Sequence, residues 1–128
     1  TDMRRILMAA AATFFFGLLS VIATVQAEES VKVDDLWAGR WSIGRDSGDI
    51  KFRLIQTGNN LTGTVLEATG MRHPMEKDLK GEVRGNRVTL QSSDGHKIDA
   101  FVKEEEMRGS FHGHGPRIGE IVVKRVAQ

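Results

Sequence analysis

Residues Asp49 to Ala68 read DIKFRLIQT, GNN, LTGTVLEA. In the first segment Ile50, Phe52 and Leu54 alternate with Lys51 and Arg53. That period of two places apolar side chains on one face of a strand and charges on the other. Gly58-Asn59-Asn60 follows, and Gly and Asn tolerate the positive φ that a tight hairpin demands. Leu61 to Ala68 then resumes an extended pattern. Strands joined this closely must run antiparallel.

The same grammar extends in both directions. Gly39 to Arg45 is read as a strand ended by a turn at Asp46-Ser47-Gly48, and the longer loop Thr69 to Lys77 closes one end. Beyond it come Asp78 to Arg84, Arg87 to Ser92, His96 to Lys103, Glu106 to His112 and Arg117 to Val126, separated by short Gly-, Asn-, Asp- or Glu-containing turns. Strands with turn signals about every ten residues mark an all-β sandwich or barrel. Eight strands in a meander is the number at which a sheet closes on itself with room for side chains or one small ligand. The expected fold is therefore all-β, an eight-stranded antiparallel up-and-down barrel.

Upstream lies a different kind of segment. Arg4 and Arg5 precede a nearly uncharged apolar run from Ile6 to Val25, and Val25-Gln26-Ala27 places small residues where a signal peptidase reads. Residues 1–27 are read as an export signal, 28–38 as a leader with one helical turn at Val33 to Leu36, and 39–128 as the barrel domain. The localisation expected is exported, periplasmic or secreted. The apolar run is also close to the roughly 20 residues of a membrane span, so a retained anchor is the competing reading and the only one that involves a membrane.

Cleavage changes the charge balance. The chain has 18 Lys+Arg and 17 Asp+Glu, and loss of Arg4, Arg5 and Asp2 leaves 16 of each. A neutral domain carries no nucleic-acid footprint. With no Cys to form a disulfide, a domain of about 101 residues must be held by its single core.

Gly39-Arg40-Trp41 on the first strand matches the Gly-X-Trp signature of the calycins, the group of lipocalins, fatty-acid-binding proteins and avidins. Leu61-Thr62-Gly63-Thr64-Val65, Leu79-Lys80-Gly81-Glu82-Val83 and Met107-Arg108-Gly109-Ser110-Phe111 resemble the Gly-centred strands of avidin-like barrels. Arg125 stands where the calycin pattern has an Arg packing over the Gly-X-Trp tryptophan. The resemblance implies a ligand-holding barrel. It does not extend to biotin, because avidin-like sites are lined with several Trp and Tyr, and this chain has two Trp and no Tyr. Independently of family, Gly63, Gly81 and Gly109 fall on the inward parity, where glycine either permits sharp coiling or makes room for a ligand.

Few residues offer chemistry. Glu67 and Glu120 take the inward parity, and a carboxylate facing a small barrel interior must be paired or protonated. His73, in the longest loop, stands at a mouth where loops hold binding groups. These three are the catalytic candidates. His112 and His114 are two apart, as a shared metal ligation on one strand face requires, with His96 or Glu120 as a third ligand. The competing reading is an exposed Gly-rich turn, and no spacing motif of known specificity is matched, so no metal is assigned. No phosphate-cradling loop or Ser-His-Asp order occurs, and no cofactor is expected.

Three functions follow from these residues. The first is a binding module for a small, mostly apolar ligand in the interior or mouth, lined by Trp41, Phe52, Leu54, Val65, Leu90 and Phe111. The second is a small enzyme, an isomerase, cyclase or hydrolase, using an interior carboxylate or the loop His. The third is a protein-interaction or inhibitor module, which requires a filled interior and an exposed apolar patch.

Overall fold

A computed structural model describes residues 29–127. The export signal read at residues 1–27 lies outside the described residues. Eight strands follow in order: β1 (Asp35–Ile43), β2 (Asp46–Thr57), β3 (Asn60–Ala68), β4 (Asp78–Arg84), β5 (Arg87–Ser92), β6 (Lys97–Lys103), β7 (Glu106–His112) and β8 (Ile118–Arg125). Each pairs antiparallel with the next, and β8 pairs back onto β1, closing the barrel. This is the up-and-down barrel expected from the period-two pattern.

Closure removes the edges that an open sheet would expose and leaves an interior to be filled. Ile50, Phe52, Leu54, Val65, Val83, Leu90, Ile98, Val102 and Phe111 are all buried in one continuous core. Leu61, Leu79, Met107, Ile121 and Val123 join them. Glycines let the wall coil tightly around this core. A Cβ on Gly81 would lie 1.7 Å from the carbonyl oxygen of Thr89, and one on Gly109 would lie 2.2 Å from that of Asp99. The space over these two glycines is taken by the neighbouring strand, so they serve curvature.

The two ends differ. At one lie the turns β2–β3, β4–β5 and β6–β7, and the leader crosses the opening as extended chain and not as a helical turn. Val31 donates its amide to Gly85 at 2.8 Å, Ser30 Oγ donates to Asn59 at 2.8 Å, and Val33 donates to Gln56 Oε1 at 2.7 Å. Val33 is fully buried, and the Trp37 indole donates to its carbonyl at 3.0 Å. The leader is thus a plug, and the first strand begins at Asp35, four residues before the expected boundary at Gly39. The Arg of the calycin pattern also finds a different partner. Arg125 lies over Trp37, its register neighbour across β1 and β8, and not over Trp41.

Local register differs from the sequence reading in three places. The β1–β2 turn is Gly44-Arg45, so Asp46 to Gly48 belong to β2. In β3 the pairing slips between Lys51 and Phe52: Lys51 faces Glu67 while Phe52 faces Val65. The extra residue, Leu66, is a β-bulge, which turns Glu67 outward beside Lys51 and brings Ala68 opposite Ile50. In β8 the inward set is Gly119, Ile121 and Val123, which puts Glu120 on the outer wall.

Candidate functional site

The open end is built by the other four connections, those of β1–β2, β3–β4, β5–β6 and β7–β8. Trp41 and Phe111 form its floor, ring centroids 5.8 Å apart, and both are nearly fully buried. The Trp41 indole donates to the carbonyl of Thr69 at 2.9 Å, which ties the long β3–β4 loop down across the opening. Met75 from that loop is buried against the core. A cleft of about 40 Å³ remains between Trp41, Ile43, Met71, His73, His96, Phe111 and His114.

The polar part of the site begins in the β5–β6 turn, where Ser92, Asp94 and His96 recur at every second residue. Gly95 takes a φ of 101°, which lets the turn curl tightly enough to bring these side chains together. The Ser92 hydroxyl donates to Asp94 Oδ1, His96 donates its amide to Ser92 Oγ at 3.1 Å, and the Glu76 amide donates to Asp94 Oδ2 at 3.1 Å. The His96 ring lies with Nδ1 3.0 Å from Asp94 Oδ1. Burial by itself would raise the Asp94 carboxyl, but the donors from Ser92, His96 and Glu76 outweigh it and hold the group well below its usual range. An ionised carboxylate only accepts hydrogen bonds, so Nδ1 is the protonated nitrogen and a neutral ring leaves Nε2 as a free acceptor.

Around this pair stand two more imidazoles. His114, from the β7–β8 loop, has its ring centroid 5.3 Å from that of His96 in an edge-on arrangement. His73, from the β3–β4 loop, stacks on His114 at 4.8 Å. Asp94, His96 and His114 each offer a donor atom within 4.8 Å of the others. Three of the four histidines in the chain therefore meet at one end. At the rim Arg117 binds Asp46 at 2.8 Å. That hydrogen bond, against a smaller effect of burial, keeps the Asp46 carboxyl below its ordinary value.

Residues singled out by sequence are sorted by this geometry. Trp41, Phe111, His73 and His114 meet at the mouth. Phe52, Leu54, Val65 and Leu90 lie deep in the core, packed against other side chains. Glu67 and Glu120, expected to point inward, are exposed on the outer wall. His112 separates from His114 because β7 ends at His112. It stays on the wall opposite Lys97 and Ile118, while the chain beyond it folds over the mouth. The reading of His96 as a third ligand pairs it with His114 but not with His112.

Asp94 was legible only as a turn residue and Ser92 only as the last residue of a strand. The Ser-x-Asp-x-His spacing, with Gly between Asp and His, is the signal that would have found them. The Ser92 hydroxyl is directed at Asp94 and not at the imidazole, so this is not a nucleophile with its base. Compared with family models, curated proteins and solved structures, the chain matches none of them.

Proposed function

We propose that this protein is an exported binding module that takes a small ligand at the open mouth of its barrel, above Trp41 and Phe111. The observation that carries the reading is the convergence of three histidines, from three separate loops, on one cleft beside an aromatic floor, with Asp94 bonded to His96. A concave site with apolar walls and a few convergent polar groups is the usual form of a small-ligand site. The interior is occupied by the protein's own side chains, which favours the mouth over the lumen. Of the five exposed large apolar residues among the described residues, Val31 lies in the leader and Ile55, Leu66, Phe101 and Ile118 lie on four different strands, none in register with another. Scattered singly, they do not form the patch that a protein-interaction module needs.

The test is a fragment screen read by amide and indole NMR. The chain has two tryptophans, one at each end of the barrel, so the Trp41 indole reports the mouth and the Trp37 indole is an internal reference. Fragments should shift Trp41, Thr69, Gly95 and Gly113 and leave Trp37 still. Shifts confined to the outer wall, or none at all, would overturn the reading.

A second reading, a small hydrolase or isomerase, draws on the Asp94–His96 pair, since a carboxylate that orients an imidazole prepares it as a general base. Turnover of a substrate that disappears in His96→Gln with the fold intact would favour it.

A further inference from the structure

We propose that Asp94, His96 and His114 form a binding site for a divalent transition-metal ion at the barrel mouth, with one coordination position facing the cleft. This rests on the mouth being the binding end and names what would hold a ligand there.

Two imidazole nitrogens and one carboxylate oxygen form a donor set suited to zinc, copper, nickel or cobalt; magnesium and calcium prefer oxygen alone. The His96 donor is Nδ1, 3.0 Å from Asp94 Oδ1; its proton passes to Nε2 as the ion takes its place between the two groups. Three protein ligands with a fourth position open is the arrangement of a zinc site that also binds a small molecule. The three donors are graded in exposure in a way that fits an ion entering from solvent. His96 is buried, Asp94 is half-buried and His114 is exposed.

Two of the donors are already held in place. Asp94 is anchored by the Ser92 hydroxyl and by the Glu76 amide at 3.1 Å. His96 is fixed by its backbone bonds to Ser92 and by packing on Phe111 at a centroid distance of 6.0 Å. Donors bound to one zinc ion lie about 3.3 Å apart, given metal–ligand bonds of about 2 Å. The donor spread of 4.8 Å therefore has to close by about an ångström or more. His114, on an exposed loop, can supply that motion by a change of rotamer. His73, stacked on His114, stands where it can orient that ring.

Zinc(II) added alone to the protein, followed by calorimetry and thermal unfolding, tests this. One ion should bind per chain with a Kd below about 10 μM and raise the melting temperature, because an ion that binds only the folded form stabilises it. His96→Ala and His114→Ala should each weaken binding at least tenfold, while His112→Ala leaves it unchanged. His114 is exposed, so His114→Ala keeps the test available even if His96→Ala fails to fold. Cobalt(II) should give visible ligand-field bands that vanish in His114→Ala.

Zinc binding weaker than about 1 mM, or loss of binding in His112→Ala and not in His114→Ala, would overturn the site. If zinc fails to bind but fragments still shift the Trp41 indole in chelator-treated protein, the metal falls and the mouth stands. If zinc binds as expected and no fragment perturbs Trp41 with or without it, the ion site stands and the small-ligand reading falls.

Discussion

The guanidinium of Arg125 lies 4.6 Å above the ring of Trp37. It also donates to the Lys32 carbonyl at 2.9 Å and approaches Asp35 at 3.4 Å and Glu105 at 3.2 Å. One side chain from the last strand thus clasps the first strand, the leader and the β6–β7 turn. A planar, multidentate cation stacked on an aromatic face is a role that Lys does not reproduce.

Arg125→Ala is expected to lower stability by about 1–2 kcal/mol, from the lost cation–π contact and its packing. Arg125→Lys should recover less than half of that. Urea denaturation measures both, and faster amide exchange at Val31 and Val33 should accompany them as the leader loosens.

Glycine is required at Gly81 by close approach and at Gly58 by conformation. Gly81→Ala puts a methyl 1.7 Å from the Thr89 oxygen, so β4 and β5 must move apart, and a loss of about 3 kcal/mol or more is expected. Gly58 has a φ of 64° with open space around it, and Gly58→Ala should cost about 1–2 kcal/mol. Equal losses at the two sites would contradict the close-packing account.

Glu104, in the β6–β7 turn, has a φ of 57°, the one non-glycine residue with positive φ among the described residues. Glu104→Gly should stabilise the protein by about 0.5–1 kcal/mol, relief of that conformation exceeding the entropy glycine loses on folding. Chemical denaturation decides the sign.

The outer wall carries a pH dependence. Asp99 accepts two hydrogen bonds from Arg87, at 2.9 and 2.7 Å. Those bonds, more than the opposing effect of burial, lower its carboxyl from the ordinary 3.8. A depressed folded value means that the unfolded chain binds the proton first. The contribution is full above the unfolded value and is lost as pH falls through the folded one. Asp99→Asn should therefore reduce stability at pH 7 and flatten the stability profile below about pH 4. A parallel profile in the variant would contradict the assignment.

Trp41→Phe keeps an aromatic floor but removes the indole donor to Thr69. The expected cost is about 1 kcal/mol, with faster hydrogen exchange concentrated in residues 69–77. A uniform rise across the barrel would mean that the indole supports the core and does not hold the loop.

The strands were legible because period two is local. Each inward residue from Ile50 to Phe111 announces itself by its neighbours, and short Gly- and Asn-bearing turns force the order of pairing. Phase was legible only where one parity was clearly apolar. In RIGEIVVKRV both parities carry apolar residues, Ile118 and Val122 on one and Ile121 and Val123 on the other. Pairing with β7 and β1 therefore decided which faced inward, and with it the outward place of Glu120. Leu66 fits an ordinary strand, and only the meeting of β2 with β3 shows it to be the extra residue that turns Glu67 out.

The mouth was least visible of all. His73, His96 and His114 belong to three different loops, and nothing local links them. Sequence by itself determined eight strands, their antiparallel order and the core that fills them. Only closure of the barrel, which brings alternate connections to the same end of the cylinder, decided that three imidazoles and Asp94 share one site.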